Sequence, residues 1–188
     1  WGWCDHNPCR GVRRHAEKPR DRYITDDELS RLRKAAGPQW QCIIDMAYAT
    51  ALRRGDLMTL RLADIGPEGL SVVQQKTKAK LLYTMTPELR ALLDRVRRLH
   101  RRVGTLLLFA TRTGQAYSES GWESSWRRIR EKAGVKDIHF HDIRHRAITD
   151  AKQRFGIEHA QALAGHASVT MTEAYVTALE VVRVTPLK

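Results

Sequence analysis

Cysteine is scarce in this chain, and long apolar runs are missing. Of 188 residues only Cys4, Cys9 and Cys42 are cysteines, an odd number without CxxC spacing. That count excludes an even disulfide framework and points to a reducing interior. Cys4, His6 and Cys9 stand close together, but their spacing fits no common zinc arrangement, so ordinary thiols are the preferred reading. Residues 106–110 are among the longest strongly apolar stretches and are far too short to span a bilayer. The opening Trp1-Gly2-Trp3-Cys4 has neither a charged segment followed by an apolar one nor an initiating Met. We therefore expect no secretory leader, and a fragment of a longer protein. Internal repeats and low-complexity stretches are absent as well.

Acidic residues are outnumbered. Asp and Glu total 21 against 33 Lys and Arg, a formal net charge of +12. Such an excess favours a polyanionic partner, because each phosphate neutralised releases condensed counterions. The plainer alternative is a basic protein with no nucleic-acid role. The basic residues are dispersed, at Arg53-Arg54 and over 76–80, 95–102 and 127–132, which suits a folded domain with a basic face better than a disordered arm. Hydrophobic residues at 42% and charged residues at 29% are an ordinary globular balance.

Residues 1–22 read as a linker, with Asn7-Pro8, Gly11 and Pro19 and no sustained periodicity. Thr25-Asp26-Asp27-Glu28 carries a capping-box signature, followed by Leu29, Leu32, Ala35 and Ala36 on one helical face up to Gly37-Pro38. A buried helix is expected over 40–51 and a short one over 54–60. Residues 70–73 and 81–85 flank a polar, basic tip at 74–80 and predict a β-hairpin. Thr86-Pro87 opens a further helix towards Arg102. Residues 106–109 predict a strand or buried coil, and helices are expected over 120–133, 141–155, 158–164 and 170–178. The expected fold is mainly α with a small antiparallel β-sheet.

The densest chemistry lies in Ile138-His139-Phe140-His141-Asp142-Ile143-Arg144-His145. On a helix His141, Arg144 and His145 share a face. A guanidinium fork beside an imidazole suits a phosphate site. A solvated basic face is the plainer reading. His141 and His145 also have the spacing of helix-borne zinc ligands, although no HExxH carboxylate accompanies them. Arg53 leaves the end of a buried helix, either towards a cleft or as a surface residue at the negative dipole end. Lys76 stands at the hairpin tip, reaching for a substrate or simply solvated. His166 lies between two helices, capping one or facing a pocket. Tyr175 is on the last helix, where packing is the usual role. A phenol with a reference pKa of about 10 attacks phosphorus only when cations lower its pKa and a base takes its proton.

Five stretches occur in order: Tyr48-Ala49-Thr50-Ala51-Leu52-Arg53-Arg54-Gly55-Asp56-Leu57, Gln75-Lys76-Thr77-Lys78, His141-Asp142-Ile143-Arg144-His145, Leu163-Ala164-Gly165-His166 and Met171-Thr172-Glu173-Ala174-Tyr175. Nine positions separate His166 from Tyr175. Together they resemble the catalytic domain of the tyrosine recombinases, the phage integrases and Xer-type recombinases. Asn7-Pro8-Cys9-Arg10-Gly11-Val12 is similar to the family's lead-in to this domain. Ala51 and Ala164 depart from it, since the family commonly has Gly at both places.

The resemblance implies the family's catalytic-domain fold over 23–178, a linker over 1–22 from an N-terminal DNA-gripping domain, and a tail over 179–188. It implies that Arg53 and Arg144 bind the non-bridging oxygens of a scissile phosphate and that His166 donates a further hydrogen bond to it. Tyr175 would attack phosphorus to form a 3′-phosphotyrosyl link, Lys76 would protonate the leaving 5′-oxygen, and His141 would help accept the tyrosine proton. No metal, ATP or other cofactor is implied. The implied partners are double-stranded DNA and further copies of the chain in a synaptic tetramer, with a monomer off DNA, no membrane, and a cytoplasmic, nucleoid-associated location in a bacterium or phage-infected cell. The segment 176–188 would dock on a neighbouring protomer in trans. Alternatives are a type IB-like topoisomerase, a non-cutting DNA-binding protein of the same fold, and a metal-dependent phosphodiesterase using His139, His141 and His145.

Overall fold

The computed structural model describes residues 4–7, 9–12, 22–99 and 103–176. Most of the expected linker over 1–22 and the whole tail over 179–188 therefore lie outside the described residues. So do positions 177 and 178 of the expected last helix and the expected trans docking of the tail.

The architecture is mainly helical with one two-stranded antiparallel sheet, as the periodicity predicts. Helix α1 (Asp26–Ala35) starts on the capping box: the Thr25 hydroxyl accepts from the Glu28 N–H at 3.3 Å and the Glu28 carboxylate accepts from the Thr25 N–H at 3.0 Å. Helix α2 (Pro38–Thr50) begins two residues before the expected start, because Pro38 supplies the fixed φ of a first turn and has no N–H to leave unpaired. It stops where Ala51 turns left-handed at φ 50°. Helix α3 (Arg54–Thr59) follows at once, with Arg53 in the capping position.

Strands β1 (Gly69–Val73) and β2 (Lys80–Thr84) pair from Gly69 opposite Thr84 to Val73 opposite Lys80. Helix α4 (Pro87–Arg97) is capped by the Thr86 hydroxyl. Residues 106–109 form a coil rather than a strand. Leu107 makes one isolated bridge to Arg61, and hydrogen bonds from Leu62 N to Leu106 O at 2.9 Å and from Leu108 N to Leu60 O at 2.8 Å pin it. Helices α5 (Glu119–Ala133), α6 (His141–Phe155), α7 (Ile157–Ala164) and α8 (Val169–Val176) complete the described residues.

Two cores hold these elements. In the larger one Trp40 of α2 lies 4.7 Å from Trp122 of α5, with Trp126 stacked on Trp40 at 6.4 Å and Phe140 in edge contact with all three. Both Trp122 and Trp126 are fully buried, so truncating either to Ala should cost about 3–5 kcal/mol. The smaller core is built from Ala51, Ala147, Ile148, Ala151, Ala160 and Ala164. Side chains this small let α2, α6 and α7 approach closely, and the chemically interesting residues gather at that junction. Among the described residues no helix is long and apolar enough to cross a membrane.

Candidate active site

Arg144 is the centre of the cluster. It projects from the first turn of α6 into the junction and is only 1% exposed. Its guanidinium donates to the carbonyl of Ala51, to the carbonyl of Ala164 at 2.9 Å, and to His166 Nε2 at 2.9 Å. Both carbonyls lie at helix C-termini that end in left-handed turns, Ala51 after α2 and Gly165 (φ 62°) after α7. Such turns leave the last carbonyls of a helix without intrahelical donors, and here a guanidinium takes that place. Burial and then the Arg53 charge lower the Arg144 pKa, with Tyr175 acting in the opposite direction.

His166 follows the Gly165 turn, so it faces this pocket rather than capping a helix. Because Arg is only a donor, His166 Nε2 accepts from Arg144, and the ring proton sits on Nδ1, which donates to the Thr172 hydroxyl at 3.0 Å. Burial, then Arg144 and Arg53, lower its pKa to about 4, so the imidazole is neutral at pH near 7.

Tyr175 on α8 closes the cluster from one side. Its hydroxyl is 3.2 Å from His141 Nε2. Its ring stacks on His145 with centroids 4.2 Å apart, stands 5.1 Å from the His166 ring and lies 5.8 Å from the Arg144 guanidinium carbon. His141 keeps an exposed edge, yet the protein around its ring and then the His145, Arg144, Arg53 and Lys76 charges lower its pKa to about 4. His141 and His145 thus face a tyrosine, and among the described residues no three His, Cys, Asp or Glu side chains are grouped to hold a metal ion.

Arg53 is half-buried, and its Nη1 donates to Gln74 Oε1 at 2.7 Å. Lys76 is exposed on the turn between β1 and β2; it stands at the rim, close enough for its charge to bear on His141. The turn is fixed from below. Asp56, buried in α3, accepts from the Gln75 N–H at 2.8 Å, and the Tyr83 hydroxyl donates to the Leu163 carbonyl at 3.3 Å.

All six candidate residues therefore border one junction, with Arg53, Arg144, His141, His166 and Tyr175 interlinked and Lys76 poised at the edge. Reading the sequence singled out neither Gln74 nor Thr172 for a role. Signals existed for both: Leu70, Val72 and Gln74 continue the inward alternation of β1, and Thr172 stands three residues before Tyr175, on the same side of α8.

A sequence model described as the phage integrase family matches residues 22–180. The chain is 28% identical over 193 residues to the shufflon-specific DNA recombinase of Escherichia coli, covering 93% of this chain and 45% of that protein. It is 26% identical over 180 residues to the integrase of Escherichia phage HK022, covering 90% and 50% respectively. The chain thus spans about half the length of these relatives. Among solved structures, a lambda integrase dimer bound to a COC′ core site superposes with a TM-score of 0.79 at 22% identity, over 96% of this chain and 69% of that one, a likeness of fold. XerA recombinase superposes at 0.70 with 26% identity, over 84% and 62%. A family match over residues 22–180, with a shared helical fold, leads to one conclusion: the chain belongs to the phage integrase family of tyrosine recombinases.

Proposed function

We propose that this chain is the catalytic domain of a site-specific DNA recombinase that cuts and rejoins DNA through Tyr175. The observation that carries the reading is the Tyr175 hydroxyl, held 3.2 Å from a neutral imidazole beside a buried guanidinium. A phosphodiester entering the junction meets two permanent cations, Arg53 and Arg144, near enough for the Arg53 charge to bear on Arg144. Preorganised donors of this kind stabilise the charge that develops on phosphoryl oxygens, the task a divalent metal performs in many other phosphoryl transfers.

In this reading the Tyr175 oxygen attacks phosphorus, the bond from phosphorus to the 5′-oxygen breaks, and a 3′-phosphotyrosyl link forms. His141 Nε2 accepts the phenol proton, and Lys76 gives a proton to the leaving 5′-oxygen. At a pKa of about 4 the DNA-free His141 is a weak base. Burial is the larger cause of that depression and persists, but an incoming phosphate offsets the surrounding cations that add to it, so DNA binding raises the basicity of His141 in part. His166 needs a corresponding exchange: its Nε2 accepts from Arg144 in the DNA-free arrangement, so donating to phosphate requires a proton on that nitrogen. A phosphate anion beside Arg144 favours that protonation as well. The link preserves the phosphodiester's energy, and rejoining is the same steps in reverse, without ATP.

The proposal extends to double-stranded DNA as substrate and to assembly of several copies upon it. A lambda integrase tetramer bound to a Holliday junction superposes with a TM-score of 0.79 at 21% identity, which supports a fold fitted to such an assembly. It also retains the division into a linker over 1–22, a catalytic domain over 23–178 and a tail over 179–188. The deciding experiment is incubation with a nicked suicide duplex in EDTA, parent beside Tyr175→Phe. A denaturation-resistant adduct in the parent alone is expected. An adduct from both proteins would remove Tyr175 as nucleophile, and loss of the parental adduct in EDTA would favour a metal-dependent enzyme.

A further inference from the structure

Gln74 is fully buried, an unusual place for a carboxamide unless its polar atoms are all engaged. Its Oε1 accepts from Arg53 Nη1 and from the Thr77 hydroxyl, both at 2.7 Å, and its Nε2 donates to the Ala164 carbonyl at 3.0 Å. Only one orientation of the amide works, because a guanidinium cannot accept and a carbonyl cannot donate. The Ala164 carbonyl is the same one that receives Arg144 Nη2. One side chain therefore joins Arg53 to the seat of Arg144. Its backbone also closes the turn bearing Lys76, through Gln74 N to Ala79 O and Lys78 N to Gln74 O, both 2.9 Å.

The turn ahead of His166 is built around this contact. A Cβ on Gly165 would stand 2.7 Å from Gln74 Nε2, so the amide lies flat against a backbone that only glycine leaves open. The chemistry of the choice is equally specific. Arg53 and Arg144 carry like charges in a partly desolvated pocket, and each needs an acceptor before any phosphate arrives. A carboxylate at position 74 would satisfy Arg53 but cancel a charge that the phosphate has to meet, and it would face the Ala164 carbonyl acceptor to acceptor. A neutral amide avoids both.

We propose that Gln74 is a positioning residue for strand cleavage: its neutral amide holds Arg53 in register with Arg144 and His166 and leaves both positive charges uncompensated for the phosphate. The inference rests on the cleavage reading above.

The test uses the nicked suicide duplex with parent, Gln74→Glu and Gln74→Met, following adduct formation at saturating DNA, affinity in a Tyr175→Phe background, and thermal melting. Misplacing or neutralising one phosphate ligand should slow Gln74→Glu on the order of 10²-fold and Gln74→Met on the order of tenfold. Affinity should stay within about threefold, since the many other phosphate contacts dominate it. A methylphosphonate at the scissile position removes one negative charge from the substrate. It should shrink the gap between parent and Gln74→Glu, which general destabilisation would not do. No adduct from the parent overturns the cleavage reading and this inference with it. A parental adduct with both variants within about threefold of the parental rate overturns the inference alone. So does a loss of rate that tracks melting temperature and is unchanged on the methylphosphonate.

Discussion

Acidification should destabilise this protein through His166, by an amount the structure allows to be worked out. The side chain is 6% exposed, and burial, then Arg144 and Arg53, lower its pKa from 6.5 to about 4. Between those two values the unfolded chain binds a proton that the folded one refuses. Stability from this group is therefore complete above pH 6.5 and drains away as the pH falls towards 4. A single imidazole with these two values costs the fold about 2 kcal/mol between about pH 8 and about pH 5. His141 shifts in the same direction, but its exposed edge makes its share smaller. Urea melts of parent and His166→Gln across that range isolate the term, because carboxylates and other histidines titrate in both proteins and cancel. The parent should lose about 2 kcal/mol more than the variant on acidification. Parallel pH profiles would refute a buried, neutral His166, and with it the hydrogen-bond directions assigned around Arg144.

Asp150 accepts from the Tyr23 and Tyr48 hydroxyls, both at 2.6 Å, and pairs with Arg146 at 3.3 Å, so Asp150→Ala should cost about 1–3 kcal/mol in urea melts by taking the acceptor from two hydroxyls and leaving Arg146 with Asp26 as its one carboxylate. At Ala51, Gly relieves the left-handed strain but loses a buried methyl and adds unfolded-state freedom, leaving stability within about 1 kcal/mol of the parent. Ala51→Val, β-branched and oversized there, should cost about 2–4 kcal/mol by the same melts. Thr172→Val strands the His166 Nδ1 proton in a buried site, for about 1–3 kcal/mol and a fall in the adduct rate that Thr172→Ser restores.

Local chemistry made most of the fold legible. The capping box at Thr25, the Thr86-Pro87 start and the inward alternation of Leu70 and Val72 each act within a few residues, and the elements form where those signals stand. The coil at 106–109 was ambiguous for a physical reason. Leu108 and Phe109 bury equally well with or without ladder partners, and the distant Leu60–Leu62 segment decides between them. The site was legible as a set of residue types in order, less so as geometry. A helical wheel places His141, Arg144 and His145 on one face, yet His145 stacks on Tyr175 while Arg144 reaches the ends of α2 and α7. Ala51 stands where the family commonly has Gly. Its left-handed φ of 50° shows why Gly suits that place, and its carbonyl is part of the Arg144 seat.

The contrast between Arg144 and Arg146 carries the functional argument furthest. Both are nearly inaccessible, two residues apart on α6, and so point to different sides of the helix. Arg146 meets Asp26 and Asp150, with the Tyr23 and Tyr48 rings 5.5 and 5.3 Å from its guanidinium carbon. Its charge is matched, and its work is to bind the segment before α1 to α2 and α6. Among the described residues no carboxylate pairs with Arg144; its acceptors are an imidazole and two helix-terminal carbonyls. The C-terminal ends of α2 and α7 stabilise a cation there by partial charge alone, typically 0.3–1 kcal/mol each and up to about 2 when partly buried. That is enough to help seat a guanidinium and too little to neutralise it. A buried, uncompensated cation is costly to the fold, and an anion entering beside Tyr175 recovers that cost as binding free energy. The same helix thus pairs one arginine within the fold and leaves the other without a carboxylate, as the proposed phosphate ligand would be.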